Sequence, residues 1–407
     1  MEARDEMERS QAMSVMARCT SMGRRARRTV SVALLAWVAG TALPMTAHAQ
    51  STETVKIGYN GPLTGPLANY GKDQEQGAQL ALDEANAQHL VIGGKTITFE
   101  LIAQDDQGDP RVAVQGANRL VDQKVVAVVG HYGSGPTIAA SSYYDKAGIP
   151  EIVPSASNPG ISKHGYKLLY RPYGTDNTVA TAASDYAVKE LHLKRIAVVD
   201  DRTAYGQGLA EEFEKAVKAD GGNMVAHEYI GDQDVDFRAV LTSLKGKRAD
   251  LIFFAGLAPQ GSMFVKQARQ LGYKGALMAG ASFANAKFLT LAGDAAEGMY
   301  AFEQGAQLNK TPEGQKFLTA FRTKYQGDSV GYAVFAYQSA WVVIEGMKAA
   351  NSTDPKVFGP AIAKLSFDSV LGHITFNQYG DLRHAKTTLY KVTGGKWDAV
   401  KTVTSEE

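Results

Sequence analysis

The stretch Val125-Val-Ala-Val-Val-Gly-His-Tyr-Gly-Ser134, continuing Gly135-Pro-Thr137, limits the possible folds more than any other part of this chain. Five apolar, mostly β-branched residues in a row predict a strand buried on both faces, and such strands belong to parallel sheets covered by helices. Gly130, Gly133 and Gly135 then turn the backbone with its amides exposed. Ser134 and Thr137 add hydroxyls, and a helix is expected from Thr137 to Ala147. Amides, hydroxyls and the positive end of a helix dipole converge at such a turn and make a cradle for an anion. Ile152-Val153, followed by Pro154-Ser-Ala-Ser157, repeats the arrangement. Two such turns at the carboxyl ends of neighbouring strands are where open α/β sheets bind ligands.

The same alternation runs through the rest of the chain. Val55–Tyr59 and Thr96–Ala103 read as strands, each followed by a helix whose apolar positions share one face: Ala78, Ala81, Leu82 and Ala85, then Ala113, Ala117, Leu120 and Val121. Four strand-helix units are complete by about residue 160. Leu168-Leu-Tyr-Arg-Pro172 is extended, since the residue before a proline avoids helix, and marks a first crossing to a second series. That series has strands at Arg195–Val199, Met224–Ile230, Asp250–Phe254, Ala276–Ala279 and Gly298–Phe302. The helices expected at Pro312–Tyr325 and Val330–Met347 lack strands of their own and complete the first lobe. Strands near His373–Phe376 and Thr387–Val392, with the turn Thr393-Gly-Gly395, form a last crossing and a closing hairpin. The fold class is therefore α/β, with two doubly wound lobes, each a Rossmann-like sheet between helices. The expected N-terminal lobe is 50–173 plus 305–378, and the C-terminal lobe is 174–304 plus 379–407.

A chain of 407 residues suits two domains, because single cores rarely exceed roughly 250 to 300 residues. Residues 1–49 read as a secretory signal peptide: Arg24-Arg25-Ala-Arg-Arg28, an apolar run from Thr29, and the small-x-small pattern Ala47-His-Ala49. Met22 would be a more ordinary start than Met1. Removing seven arginines and four acidic residues from totals of 43 and 42 leaves 36 basic and 38 acidic, a formal charge of −2. No basic surface for nucleic acid follows from that balance. The single cysteine, Cys19, lies in the segment removed, so the expected exported chain has neither disulfide nor thiol.

Few residues suggest bond-making chemistry. The histidines at 89, 131, 164, 192, 227, 373 and 384 contain no pair at metal-ligand spacing, so neither metal nor cofactor is expected. Ser134 stands between glycines, but no G-x-S-x-G elbow is present and nothing in the sequence supplies His131 as its base. Tyr205-Gly-Gln-Gly208 opens a helix as a dinucleotide fingerprint does, yet Glu211 stands where the third glycine belongs. Asp105-Asp106 and Asp200-Asp201 suit turns and helix caps. Tyr70, Tyr132, Tyr205 and Tyr332 all fall near strand-to-helix turns, where ligand contact and core packing are both open to them.

Taken together, Thr64-Gly-Pro-Leu-Ala-Asn-Tyr-Gly71, Gly130-His-Tyr-Gly-Ser134, Pro154-Ser-Ala-Ser157, Ala204-Tyr-Gly-Gln-Gly-Leu209 and Gly380-Asp-Leu382 resemble the leucine/isoleucine/valine-binding protein family over nearly all of residues 52–395. These are the type I periplasmic solute-binding components of ABC transporters. The resemblance implies a ligand held between two lobes that hinge at three crossover segments, an inner-membrane permease as partner, and a monomer in the periplasm that is not an enzyme. It implies that Ser134 grips the ligand carboxylate, that Ser155 and Ser157 add backbone and side-chain groups, and that Ala156 borders the α-carbon. Tyr70 and Tyr132 would line the first lobe and Tyr205 would close from the second, with Tyr332 a further ligand candidate by its place near a turn.

One departure stands out against that family. The positions where it grips the α-ammonium with a tyrosine and a glutamate hold Leu257 and Ala281 here. An ammonium shut in without an anion would cost several kcal/mol. Either Asp201 or Glu303 reaches in, or the ligand has no ammonium, and the second is the expectation from sequence. Within the wider class of small organic acid or amino-acid-like ligands, the guest would then be a carboxylate or an amide-like solute with an apolar or aromatic body resting on Leu257, Phe283 and the tyrosines. The rival classes are a periplasmic sensor feeding a membrane receptor and a secreted serine hydrolase built on Ser134.

Overall fold

The protein's structure, a computed structural model, describes residues 51–405; the expected signal peptide at 1–49 lies outside the described residues. β1 (Thr52–Gly61), β2 (Val91–Ile92), β3 (Lys95–Asp105), β4 (Ala127–Gly130), β5 (Glu151–Ile152) and β6 (Leu169–Tyr170) form a six-stranded sheet in the order β2-β3-β1-β4-β5-β6. β1 pairs in parallel with β3 on one side and β4 on the other, so the strand order reverses between β1 and β4. Helices Ala68–Ala87 and Ala333–Ala350 cover one face, burying Ala78, Leu82, Val343 and Met347. Helices Pro110–Asp122 and Ser134–Ala147 cover the other with Ala113, Leu120, Ala140 and Tyr144. The two helices of the first face approach so closely that a Cβ on Gly77 would lie 1.9 Å from the carbonyl oxygen of Ala333. Only glycine fits there.

The second sheet repeats the plan. It contains β7 (Arg195–Asp200), β8 (Asn223–Tyr229), β9 (Leu251–Ala255), β10 (Ala276–Ala279) and β11 (Tyr300–Gln304). After β12 (Phe367–Ser369) and β13 (Gly372–Ile374), which make a small hairpin, β14 (Lys386–Thr393) and β15 (Lys396–Thr404) return to it. The order β15-β14-β11-β10-β9-β7-β8 again reverses, here between β7 and β9, and the final hairpin turns at Gly394-Gly395. Both lobes are thus doubly wound, and the chain passes between them after β6, after β11 and before β14.

A buried arginine binds these crossings together. Arg171 is fully buried, donating from Nε to Asp381 Oδ1 (2.8 Å), from Nη1 to the carbonyls of Ala156 (3.0 Å) and Asn158 (2.9 Å), and from Nη2 to Ser162 Oγ (2.6 Å). The first crossing, the third crossing and the turn after β5 are held by one guanidinium. Its planar fork makes that possible.

Differences from the expected elements are local. The strand expected at Val125–Val129 begins at Ala127, and the one at Ile152-Val153 is Glu151–Ile152. The helix Asp176–Ser184 carries no amphipathic period strong enough to reveal it, because most of it is buried all round, and the eight-residue helix Pro355–Ile362, which buries Phe358 and Ile362, was not expected from the sequence. The helix at Ser134 starts three residues earlier than expected, which places Ser134 itself in its first turn.

Candidate functional site

The turns that follow β1, β4 and β5 face those that follow β7, β9 and β10 across a cleft, at the point where each sheet reverses its strand order. A cavity of about 740 Å³ opens between them. The first lobe contributes Tyr132, Ser134, Gly135, Ser155 and Ser157, the second Asp201, Tyr205, Leu257 and Ala281, and Tyr173 and Tyr332 complete the wall. This volume suits a small organic solute.

The cradle expected at Ser134 is present. Gly133 caps the helix Ser134–Ala147 without any side-chain bond, and Pro136 has no amide to offer, so the amides of Ser134 and Gly135 form the donor face at the helix start. Ser134 Oγ accepts from the amide of Asn158 (3.3 Å), which leaves its own proton to give. Ser155 is used differently: its hydroxyl donates to the carbonyl of Tyr132 (2.9 Å) and accepts from Gln74 Nε2 (2.7 Å). Ser155 therefore holds the Tyr132 turn in place and has no proton left for a guest.

Aromatic rings build the adjoining wall. Tyr132 and Tyr332 meet edge to face at 5.0 Å, and Tyr70 stacks on Tyr132 at 5.4 Å. Tyr70 supports that wall from behind instead of lining the cavity, and its hydroxyl lies beside Asn285 of the second lobe. Burial raises its phenol to about 12, with Glu303 adding to the effect. Tyr173, which the sequence reading did not select, lines the cavity.

Besides Tyr70, two expected contacts are corrected. Ala156 is 1% exposed, packs with Val153, Ile161 and Leu169, and gives its carbonyl to Arg171. It lies under the cradle. Phe283 is fully buried against Phe254 and Phe288 in the core of the second lobe, because Gly261 leaves it a slot there. The apolar body of a guest would meet Leu257, Ala281 and Met263 instead.

Three acids stand in the structure around the cleft, and of these Asp201 alone lines the cavity. Asp201 lines the cavity, its Oδ1 accepting from the amide and hydroxyl of Thr203 (3.0 and 2.6 Å), and burial raises its carboxyl to about 6. Glu303 accepts from the amide of Ser282 (2.7 Å), and burial raises it to about 7. Asp176 opens the helix after the first crossing, its amide donating to the carbonyl of Ser157 (2.9 Å), and burial raises it to about 7. The only hint of Asp176 in the sequence was a Thr-Asp pair suited to a helix start.

His131 is turned away from Ser134. Its Nδ1 lies 2.7 Å from Asp106 Oδ2, and its Nε2 faces the hydroxyl of Tyr144 at 3.4 Å. Asp106 also takes the amide of Gly108, and Asp105 takes those of Leu63, Thr64 and Gln107, so both serve turns. A serine nucleophile with His131 as its base has no geometry here.

Comparisons with known proteins agree with this architecture. The sequence profile of the periplasmic binding protein family matches residues 54–396. The leucine-, isoleucine-, valine-, threonine- and alanine-binding protein of Pseudomonas aeruginosa is 33% identical over 345 residues, 85% of this chain and 91% of that one. The Leu/Ile/Val-binding protein of Escherichia coli is 30% identical over 331 residues, 81% of this chain and 89% of that one. Among solved structures, the branched-chain amino acid transporter substrate-binding protein of Streptococcus pneumoniae, in complex with isoleucine, is 31% identical with a TM-score of 0.78, covering 87% of this chain and 100% of that one. With two reversing sheets facing across a lined cleft and a family match that spans both, the chain belongs to the periplasmic binding proteins.

Proposed function

We propose that this protein captures a small carboxylate or amino-acid-like solute between its lobes and delivers it to the inner-membrane permease of an ABC uptake system of the branched-chain amino acid type. It acts as an exported monomer with no chemistry of its own. No helix among the described residues is long and apolar enough to cross a membrane, in keeping with a carrier that docks on a separate permease. The lobes take the limits 50–173 plus 305–378 and 174–304 plus 379–407, and closing is driven by contacts the solute makes with both.

The carrying observation is the cradle: two helix-start amides and the free hydroxyl proton of Ser134 face a cavity with tyrosines on one side and Leu257 and Ala281 on the other. A hydrogen bond to a charged group contributes about 1.5 to 3 kcal/mol, so Ser134→Ala should weaken binding by about 10- to 100-fold. The measurement is calorimetric titration with amino and organic acids, beginning with isoleucine, and circular dichroism checks that the variant is folded. An unchanged affinity in Ser134→Ala removes the cradle from the proposal.

A further inference from the structure

The cavity is larger than a branched-chain amino acid needs. Such a molecule has about nine non-hydrogen atoms, and at a water's share of about 30 Å³ for each it fills no more than about 270 Å³. The cavity holds about 740 Å³. More than half of the space is left over, although the lobes already touch: Asn158 Nδ2 of the first donates to the carbonyl of Ala204 of the second (2.5 Å).

Much of the apolar lining follows one helix. Leu257 stands at the start of the helix Ala258–Gln270, and Leu257, Gln260 and Met263 line the cavity at intervals of three residues, the spacing of a single helix face. At 1.5 Å per residue this stripe runs about 9 Å from Leu257 to Met263. Gln260 offers a guest no proton along it, because its Nε2 donates to the carbonyls of Gly231 (2.6 Å) and Asp234 (3.1 Å). Those bonds, with a third from Gln267 Nε2 to the carbonyl of Val235 (2.8 Å), tie the loop after β8 to this helix. Val235, 64% exposed, and Met263, 36% exposed, are thereby held at the cavity wall in contact with water. Leu67 of the first lobe lines the same cavity. A loop fastened by two glutamines so that an apolar side chain stays exposed beside a second one is a surface built for an apolar partner.

We infer that the captured solute is an acid with an elongated, uncharged apolar chain, and that Met263 and Val235 hold the outer end of that chain beyond Leu257. Three bonds of an extended chain span about 3.8 Å, so the stripe takes roughly seven bonds, an acid of about eight carbons. The inference rests on the capture reading above and gives its solute a length. The cradle at Ser134 fixes the head, and the stripe sets how far the body extends. Arg202, the one basic residue of the described cavity wall, stacks over Tyr229 with its guanidinium carbon 5.3 Å from the ring centre, so no free cation waits there for a second anionic group.

The test is calorimetric titration of the refolded protein with two series, straight-chain alkanoates and straight-chain L-2-aminoalkanoates of four, six, eight and ten carbons, beside isoleucine and L-lysine. Each buried methylene tightens binding about fourfold, so in at least one series the eight-carbon member should bind at least 30-fold more tightly than the four-carbon member. The double variant Val235→Ser, Met263→Ser should lower that ratio at least fivefold. Its thermal midpoint controls for folding; if it does not fold, Val235→Ser alone decides. Affinity that is level or falls beyond four carbons, or binding of isoleucine with no member of either series, overturns this inference and leaves the capture reading standing. So does a preference for L-lysine over L-2-aminohexanoate, its uncharged counterpart. An unchanged ratio in the folded variant also overturns it and leaves the exposed pair to a protein partner. No binding by either series or by isoleucine overturns both readings.

Discussion

Glu151 should make this protein less stable as the solution turns from acid to alkaline. It occupies β5 between Val128 of β4 and Leu169 of β6, fully inside the first lobe, and neither carboxyl oxygen has a hydrogen-bond partner. Ser141 lies close, but its hydroxyl donates to the carbonyl of Thr137 at 2.6 Å and has no second proton to give. The titratable groups facing Glu151 are the phenols of Tyr144 and Tyr166, neither of which can balance a negative charge. Burial therefore pushes the carboxyl up to about 8. The folded protein holds this proton more tightly than the unfolded chain, so the contribution is fully present below the ordinary glutamate value and is lost as the pH rises towards 8. At about 1.4 kcal/mol per pKa unit, the loss between pH 5 and pH 8 is about 3 to 4 kcal/mol. Glu151→Gln has no such titration. It should be about 1 kcal/mol less stable than wild type at pH 5, where its extra donor is unsatisfied, and about 2 kcal/mol more stable at pH 8. Urea unfolding at four pH values, followed by tryptophan fluorescence, measures both curves; Trp341, packed against the first core, reports on the lobe that contains Glu151. Parallel curves for the two proteins would refute the reasoning.

Two further perturbations probe the hinge and the closing surface. Arg171→Met removes the guanidinium that joins two crossings and the turn after β5, and breaking a buried ion pair costs about 3 to 5 kcal/mol; a stability loss below 1 kcal/mol in urea unfolding would contradict that role. Asn158 Nδ2 donates across the cleft to the carbonyl of Ala204 (2.5 Å), and a Cβ on Gly208 would lie 2.4 Å from the same nitrogen. Gly208→Ala should therefore speed solute release at least tenfold in stopped-flow measurements, with the thermal midpoint of the empty protein unchanged or raised, since alanine favours the helix. Unchanged release would show that this contact does not hold the lobes shut.

The two reversing sheets were legible in the sequence because most strands are short apolar runs and most helices show one apolar face, patterns set by burial of nearest neighbours in the chain. The cradle could be read for the same reason: Gly133, Ser134 and Gly135 are consecutive, and the amides they expose belong to one local turn. The two-residue strand β2 was not legible, and Leu169–Tyr170 could be read only as an extended crossing, since both are strands only because a neighbour pairs with them. Phe283 looked like a cleft residue by position, and only the slot beside Gly261 and the rings of Phe254 and Phe288 turned it inward. Asp176 and Ser157 are far apart in sequence but share one corner once the first crossing folds back, and the environment that raises the carboxyl exists nowhere along the extended chain. Sequence by itself determined the layers and the turn of free donors at Ser134, because both depend on contacts within a few residues. Which charges face each other across the cleft was decided by the tertiary structure alone, because electrostatic partners and exclusion of water arise only when distant segments pack.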